Sequence, residues 1–124
     1  MSYSQAGRPR PTELRLKTDE KVLEVDFEDG KRFRFPAELL RVESPSAEVQ
    51  GHGPGEKTIV SGRRNVGITA IEPVGRYAVR ILFDDLHDSG LFSWEYLYEL
   101  GETQDERWRA YLAGLAEKGL SRDA

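Results

Sequence analysis

The sequence predicts a small α+β domain, mainly antiparallel strands followed by short helices, with a C-terminal helix packed on the sheet. Three observations carry this. Leu23-Glu24-Val25-Asp26-Phe27 and Arg32-Phe33-Arg34-Phe35 alternate apolar and charged side chains on either side of Asp29-Gly30. Trp108, Tyr111, Leu112 and Leu115 recur at helical spacing near the end of the chain. A length of 124 residues suits one domain with a single core.

The elements follow in order. Residues 1–11 are polar and broken by proline, and read as a tail; 12–119 read as one domain and 120–124 as a second short tail. Thr12 to Thr18 alternates, with Leu14 and Leu16 on one side, and predicts a first strand. Side-chain parity then fixes the hairpin that follows. A two-residue Asp29-Gly30 loop would set Phe27 against Arg32 and mismatch both faces. A three-residue loop, Glu28-Asp29-Gly30 with Gly30 in the left-handed bulge position, pairs Val25 with Phe33, Leu23 with Phe35, Asp26 with Arg32 and Glu24 with Arg34. Apolar and charged faces agree only in that register.

Pro36 suits the first turn of a short helix over Ala37 to Val42, stopped by Pro45. Residues 44–67 are rich in Gly, Ser, Pro and charge, with Ile59-Val60 as an apolar pair, and read as a long loop. Ile68 to Ile71 and Tyr77 to Phe83 are the next strands, joined through Pro73-Val74-Gly75; Ile68, Ala70 and Ile71 do not share a face, which leaves the register of this hairpin open. Ser93 is placed to cap a helix through Leu100, with Gly101 as terminator. Thr103 with Glu106 has the form of a capping box for the last helix, which Gly119 ends.

Composition removes several functions. The chain has no cysteine, hence no disulfide, thiolate zinc site, iron–sulfur ligation or thiol nucleophile. A net charge of −4 is unlike a general nucleic-acid binder, because the basic pairs Lys31-Arg32 and Arg63-Arg64 stand among acidic neighbours. No apolar run approaches the roughly 20 residues a spanning helix requires, and the polar start carries no secretory signal. A cytoplasmic protein without a membrane or nucleic-acid partner is the expectation.

The densest chemistry lies in Phe83-Asp84-Asp85-Leu86-His87-Asp88-Ser89-Gly90. Asp84, Asp85, Asp88 and His87 at a strand end are donors that suit a divalent cation such as magnesium, calcium or ferrous iron. The commoner use of such a run is a polar turn bonded to its own backbone. His52, in Gly51-His52-Gly53-Pro54-Gly55, is the only other histidine; an oxygenase facial triad would need both histidines and a carboxylate, with none to spare and His52 on a glycine-rich loop. Gly51 to Thr58 lacks the glycine before Lys57 that a phosphate loop needs, since Glu56 stands there. Ser89 is near His87 in sequence, which makes no triad. Phe92, Trp94, Tyr96 and Tyr98 alternate and divide between core and a partner-facing ridge; Leu86, Ser89, Phe92, Trp94 and Tyr98 are taken as the candidate partner surface.

The stretch Pro73 to Asp85, followed by His87-Asp88-Ser89-Gly90 and Ser93-Trp94-Glu95-Tyr96-Leu97, together with Phe35-Pro36, Leu39-Leu40-Arg41 and Ser44-Pro45-Ser46-Ala47-Glu48, resembles the gamma-butyrobetaine-hydroxylase-like N-terminal domain, also known as domain of unknown function 971. The resemblance covers roughly Thr12 to Leu100, with Leu86 where the family has glycine. It implies a structural zinc held by three cysteines and a histidine. Here Ser44, Ser46 and Val49 fall at the cysteine positions and His87 at the histidine, so the resemblance implies a lost zinc site. It further implies an accessory domain that works with another protein, a hydroxylase-like catalytic protein or a P-loop ATPase of the cluster-carrying type, and through the latter a link to iron or iron–sulfur metabolism. With no nucleophile–base pair, complete metal set or cofactor loop legible, a non-catalytic interaction domain without a cofactor is the leading expectation. A metal-ion-binding protein, for iron or zinc, using His87 and its neighbouring carboxylates is the alternative, and a small-molecule sensor is a weaker third.

Overall fold

The computed structural model describes residues 9–45, 59–85 and 88–123, for residues 88–90 the backbone alone. Among them, strands β1 (Pro11–Lys17), β2 (Val22–Phe27) and β3 (Arg32–Pro36) form one antiparallel sheet in that order. Strands β4 (Ile68–Val74), β5 (Ala78–Phe83) and β6 (Asp88–Ser93) form a second. Helix α1 (Ala37–Val42) follows the first sheet, and α2 (Trp94–Glu102) and α3 (Gln104–Glu117) follow the second.

The first hairpin has the register parity demands. Leu23 pairs with Phe35, Glu24 with Arg34, Val25 with Phe33 and Asp26 with Arg32. Gly30 has φ +90 and its N–H donates to the Phe27 carbonyl, while Phe27 N–H reaches Lys31, closing the three-residue loop. Leu23, Val25, Phe27 and Phe35 are buried on one face. On the other, Arg15 of β1 reaches across to Glu24 and clasps Asp26 with two 3.0 Å bonds. These bonds hold the carboxyls of Glu24 and Asp26 below their usual range.

The second hairpin resolves what the sequence leaves ambiguous. Ile68 pairs with Phe83, but Ala70 pairs with Leu82, so Thr69 is an extra residue in a bulge. The bulge flips parity and lets Ile68 and Ile71 both lean on the core. The strand continues through Pro73 to Val74, and the turn falls at Gly75, φ +58, and Arg76. The segment expected to be only a polar turn yields β6, whose backbone pairs with β5 through Ser93.

Two local expectations are corrected. Helix α2 does not stop before Gly101 but runs through it to Glu102. Gly101 is needed for contact instead, because a β-carbon there would be built into the ring of Phe33. Thr103 makes no capping box: its hydroxyl donates to the Glu99 carbonyl and accepts from Arg107 Nε at 2.7 Å. Toward the end of the chain, Gly62 N–H donates to the Ser121 carbonyl and Arg64 N–H to that of Arg122; at the other end, β1 begins at Pro11.

The main core gathers both sheets with α1 and α2, and Trp108 of α3 packs against it. Tyr111 and Leu115 form a smaller cluster with Val42 and Val60, where Trp108 also packs. Gly114 admits Ile59 against the α3 backbone. Leu112, expected in the apolar stripe, is 38% exposed. Leu112 stands four residues from Trp108 and three from Leu115, yet it lies at the solvent edge of that stripe.

Candidate functional site

Helix α1 is a short, fully buried helix that carries charge. Glu38, Arg41 and Glu43, the last its C-cap, are each at most 6% exposed among Leu39, Leu40 and Val42. Charges so placed require partners, and each partner comes from far along the chain. Glu38 takes two bonds from Arg122, at 2.7 and 2.8 Å. Arg41 Nε lies 2.9 Å from Asp85, and Glu43 lies 3.1 Å from Arg107, which also meets Glu99. The Tyr96 hydroxyl donates to the Glu43 carbonyl at 2.5 Å, and burial first, then Glu43, push its pKa up to about 12. Burial likewise raises Tyr111, whose hydroxyl donates to the Val60 carbonyl at 2.7 Å. Sequence reasoning missed this ion-pair layer. Its only signal is Glu38 and Arg41, three apart inside an otherwise apolar turn.

The Asp84-Asp85 turn at the end of β5 borders that layer. Asp85 Oδ2 lies 2.9 Å from Arg41 Nε and 2.9 Å from Arg63 Nε. Two guanidiniums therefore meet the carboxylate that the metal reading would give to a cation. Asp84 sits beside Gly67, whose carbonyl accepts from Asp84 N–H at 2.9 Å. A cleft of about 230 Å³ opens here, lined by Arg63, Arg64, Asn65, Asp84, Asp85 and Arg122. Of the other expected ligands, His87 lies outside the described residues, and of Asp88 only the β6 backbone is described. His52 also lies outside. Among the described residues no three His, Cys, Asp or Glu side chains cluster to hold a metal ion.

The expected partner surface divides. Phe92 is fully buried and Tyr98 is 7% exposed, so both are core residues, not surface. Tyr98 stands edge-on to Phe27 and Phe33, and its hydroxyl donates to Asp29 at 2.6 Å, which lowers the Asp29 pKa. Trp94 remains half-buried and joins the β4–β5 tip. Its indole N–H donates to the Arg76 carbonyl at 2.8 Å, and its backbone N–H to that of Tyr77 at 2.9 Å. Ser93 caps α2 by accepting from Tyr96 N–H at 3.0 Å, which fixes where Trp94 begins the helix. Tyr77, unmarked in the sequence reading, is 59% exposed, with its ring laid over Gly75. Leu86 lies outside the described residues, and Ser89 contributes its backbone to β6.

β6 is the terminal strand of its sheet, paired with β5 on one side. Among the described residues no strand pairs with its other edge, and Trp94, at the end of β6, ties that strand to the turn before Ala78 through Arg76 and Tyr77. No helix among the described residues is long and apolar enough to cross a membrane.

These features define a small α+β domain of two three-stranded antiparallel sheets. The chain belongs to the gamma-butyrobetaine hydroxylase-like, N-terminal family, whose model matches residues 14–98. Three solved structures are similar. Two are NMR solution structures: one is 48% identical with a TM-score of 0.83, covering 94% of this chain and 92% of that one. The other is 47% identical with a TM-score of 0.81, covering 98% of this chain and 91% of that one. The third is a crystal structure of a protein of unknown function in the DUF971 family from Acidithiobacillus ferrooxidans ATCC 23270. It is 40% identical with a TM-score of 0.63, covering 74% of this chain and 92% of that one. No curated protein matches.

The family resemblance raises zinc, and the donor chemistry tests it. The chain contains no cysteine, and Ser44, which the resemblance sets at a cysteine position, is a fully buried serine. A neutral hydroxyl is a poor zinc ligand beside thiolate, and Val49 has no donor at all. These residues do not fit a zinc of that kind.

Proposed function

We propose that this chain is a non-catalytic accessory domain that docks another protein along the β6 edge and the Tyr77–Trp94 tip, with the family zinc site lost. One observation carries the reading. The motif that resembles the family, Asp88 to Trp94, runs along a terminal strand and ends in an aromatic tip held by two hydrogen bonds. A strand edge offers main-chain donors and acceptors to an added strand. Fixed aromatic side chains beside it supply contact area at little entropic cost. The partner implied by the family is a hydroxylase-like catalytic protein or a P-loop ATPase that carries iron–sulfur clusters, which would tie the domain to iron metabolism.

Photo-crosslinking tests this. A photoreactive residue at Tyr77 should give a discrete adduct with one protein in cells of the source organism, and the same residue at Leu112 should give none. Equal labelling from both positions, or none from either, would refute the docking surface.

The metal reading rests on His87 with Asp84, Asp85 and Asp88. It is the weaker because Asp85 is already held between Arg41 and Arg63, which leaves fewer carboxylate oxygens for a cation.

A further inference from the structure

The stretch between Val60 and Val66 is anchored by apolar burial at both ends and by polar bonds between them. Val60 sits in the smaller cluster and Val66 in the main core. Arg64 and Asn65 are exposed, and Gly62 takes φ +70, so the intervening chain bows outward with no apolar side chain to hold it. Lys21 Nζ donates to the Asn65 carbonyl at 2.8 Å and Arg63 meets Asp85 at 2.9 Å, and the end of the described chain adds the remaining restraints. Gly62 N–H donates to the Ser121 carbonyl at 2.9 Å and Arg64 N–H to the Arg122 carbonyl at 3.0 Å. Arg64 pairs with Asp123, and Arg122 reaches past the bow to Glu38. The Arg122 guanidinium also lies over the Trp108 ring, 5.1 Å from its centre.

We propose that residues 121–123 are a releasable clasp, with Arg122 as its latch, and that clasp and bow open together while both sheets stay closed. The inference rests on these contacts and not on the docking reading. The backbone tethers at Gly62 and Arg64 lie near solvent and open at lower cost than packed strands, so the Arg122–Glu38 pair is the contact that decides whether the segment stays closed. Buried Glu38 gives the latch a fixed anchor inside the fold, and the stacked guanidinium sets its direction. Opening has a defined chemical consequence. Arg63, which lies on the bow, leaves Asp85, while Arg41 stays with it from inside the core. The clasp thereby sets how much positive charge faces the Asp84-Asp85 turn.

Amide hydrogen exchange of the full chain, read by NMR, tests the clasp in two variants. Arg122→Ala removes the latch, and Glu38→Gln with Arg122→Ala removes it without leaving a buried carboxylate unpaired. In both, exchange at Gly62 and Arg64 should rise about tenfold or more, while amides in β2 and β5 change by less than about twofold. A uniform rise across the chain would make Arg122 an ordinary stabilising residue and overturn the clasp. So would unchanged exchange at Gly62 and Arg64, or a rise in the single variant that the double variant abolishes.

Discussion

Asp85 accepts from Arg41, an arginine 2% exposed in the last turn of α1, at 2.9 Å. The pair joins the first sheet's helix to the end of β5, 44 residues away. It places a structural duty on the turn that sequence reading assigns to metal or partner. Breaking a buried pair by removing one member typically costs about 3–5 kcal/mol, because the other charge stays buried. Arg41→Leu should therefore lower stability in urea by roughly 3 kcal/mol, discounted toward the low end because Asp85 keeps Arg63. Asp85→Asn should cost less, since the amide still accepts from Arg41. Equal, negligible losses would mean the pair contributes nothing.

Gly101 and Phe33 share space that a methyl group would fill. Gly101→Ala should destabilise by about 1–3 kcal/mol by forcing the ring aside, seen as a lower urea midpoint with an unchanged slope. A variant as stable as the parent would show that Gly101 is there for the end of α2 after all.

Trp108 and Leu112, four residues apart on α3, differ in burial. Trp108→Ala should cost ~3 kcal/mol, at the low end for tryptophan because the ring is half-buried. Leu112→Ala should stay within about 0.5 kcal/mol. Thermal melts of both variants decide; a large loss at Leu112 would mean this face is covered.

Asp29 carries the pH dependence of the first hairpin loop. The Tyr98 hydroxyl, and then the Lys31 N–H, hold its pKa below the ordinary value. A depressed folded pKa stabilises the protein above the unfolded carboxyl range, near pH 4, and that stabilisation is lost as pH falls through the folded value. The parent should therefore melt higher than Asp29→Asn at neutral pH, and the gap should close under acid. A gap that persists at pH 2 would assign it to something other than the charge.

Thermal melts with and without a strong chelator should coincide, because the apolar core and ion-pair layer hold the fold without metal. Structural zinc contributes folding energy directly, so a zinc fold loses structure on chelation. A drop of many degrees would mean that the lost zinc site has been misread.

How much was legible follows from which residues carry local signals. The first hairpin reads from parity alone, because charged and apolar faces leave one consistent register. The second needs a bulge at Thr69, which no side chain announces. Ser93 caps as its type suggests, whereas Thr103, equally suited, gives its hydroxyl to Glu99 and Arg107. Phe92 and Tyr98 look like a ridge in the sequence, but β6 and α2 turn them inward. The ion pairs of α1 were invisible because their partners lie at sequence separations of 44 to 84. Tyr77 gave no signal, since exposure is set by the turn that Gly75 makes.

The docking account is tested most directly by affinity at Tyr77. With the partner captured by crosslinking in hand, its binding to the parent and to Tyr77→Ala should be compared by calorimetry, with melting curves as control. The account predicts at least tenfold weaker binding, about 1.4 kcal/mol, at an unchanged melting temperature, since Tyr77 is 59% exposed. Unchanged affinity with an unchanged melt would contradict it.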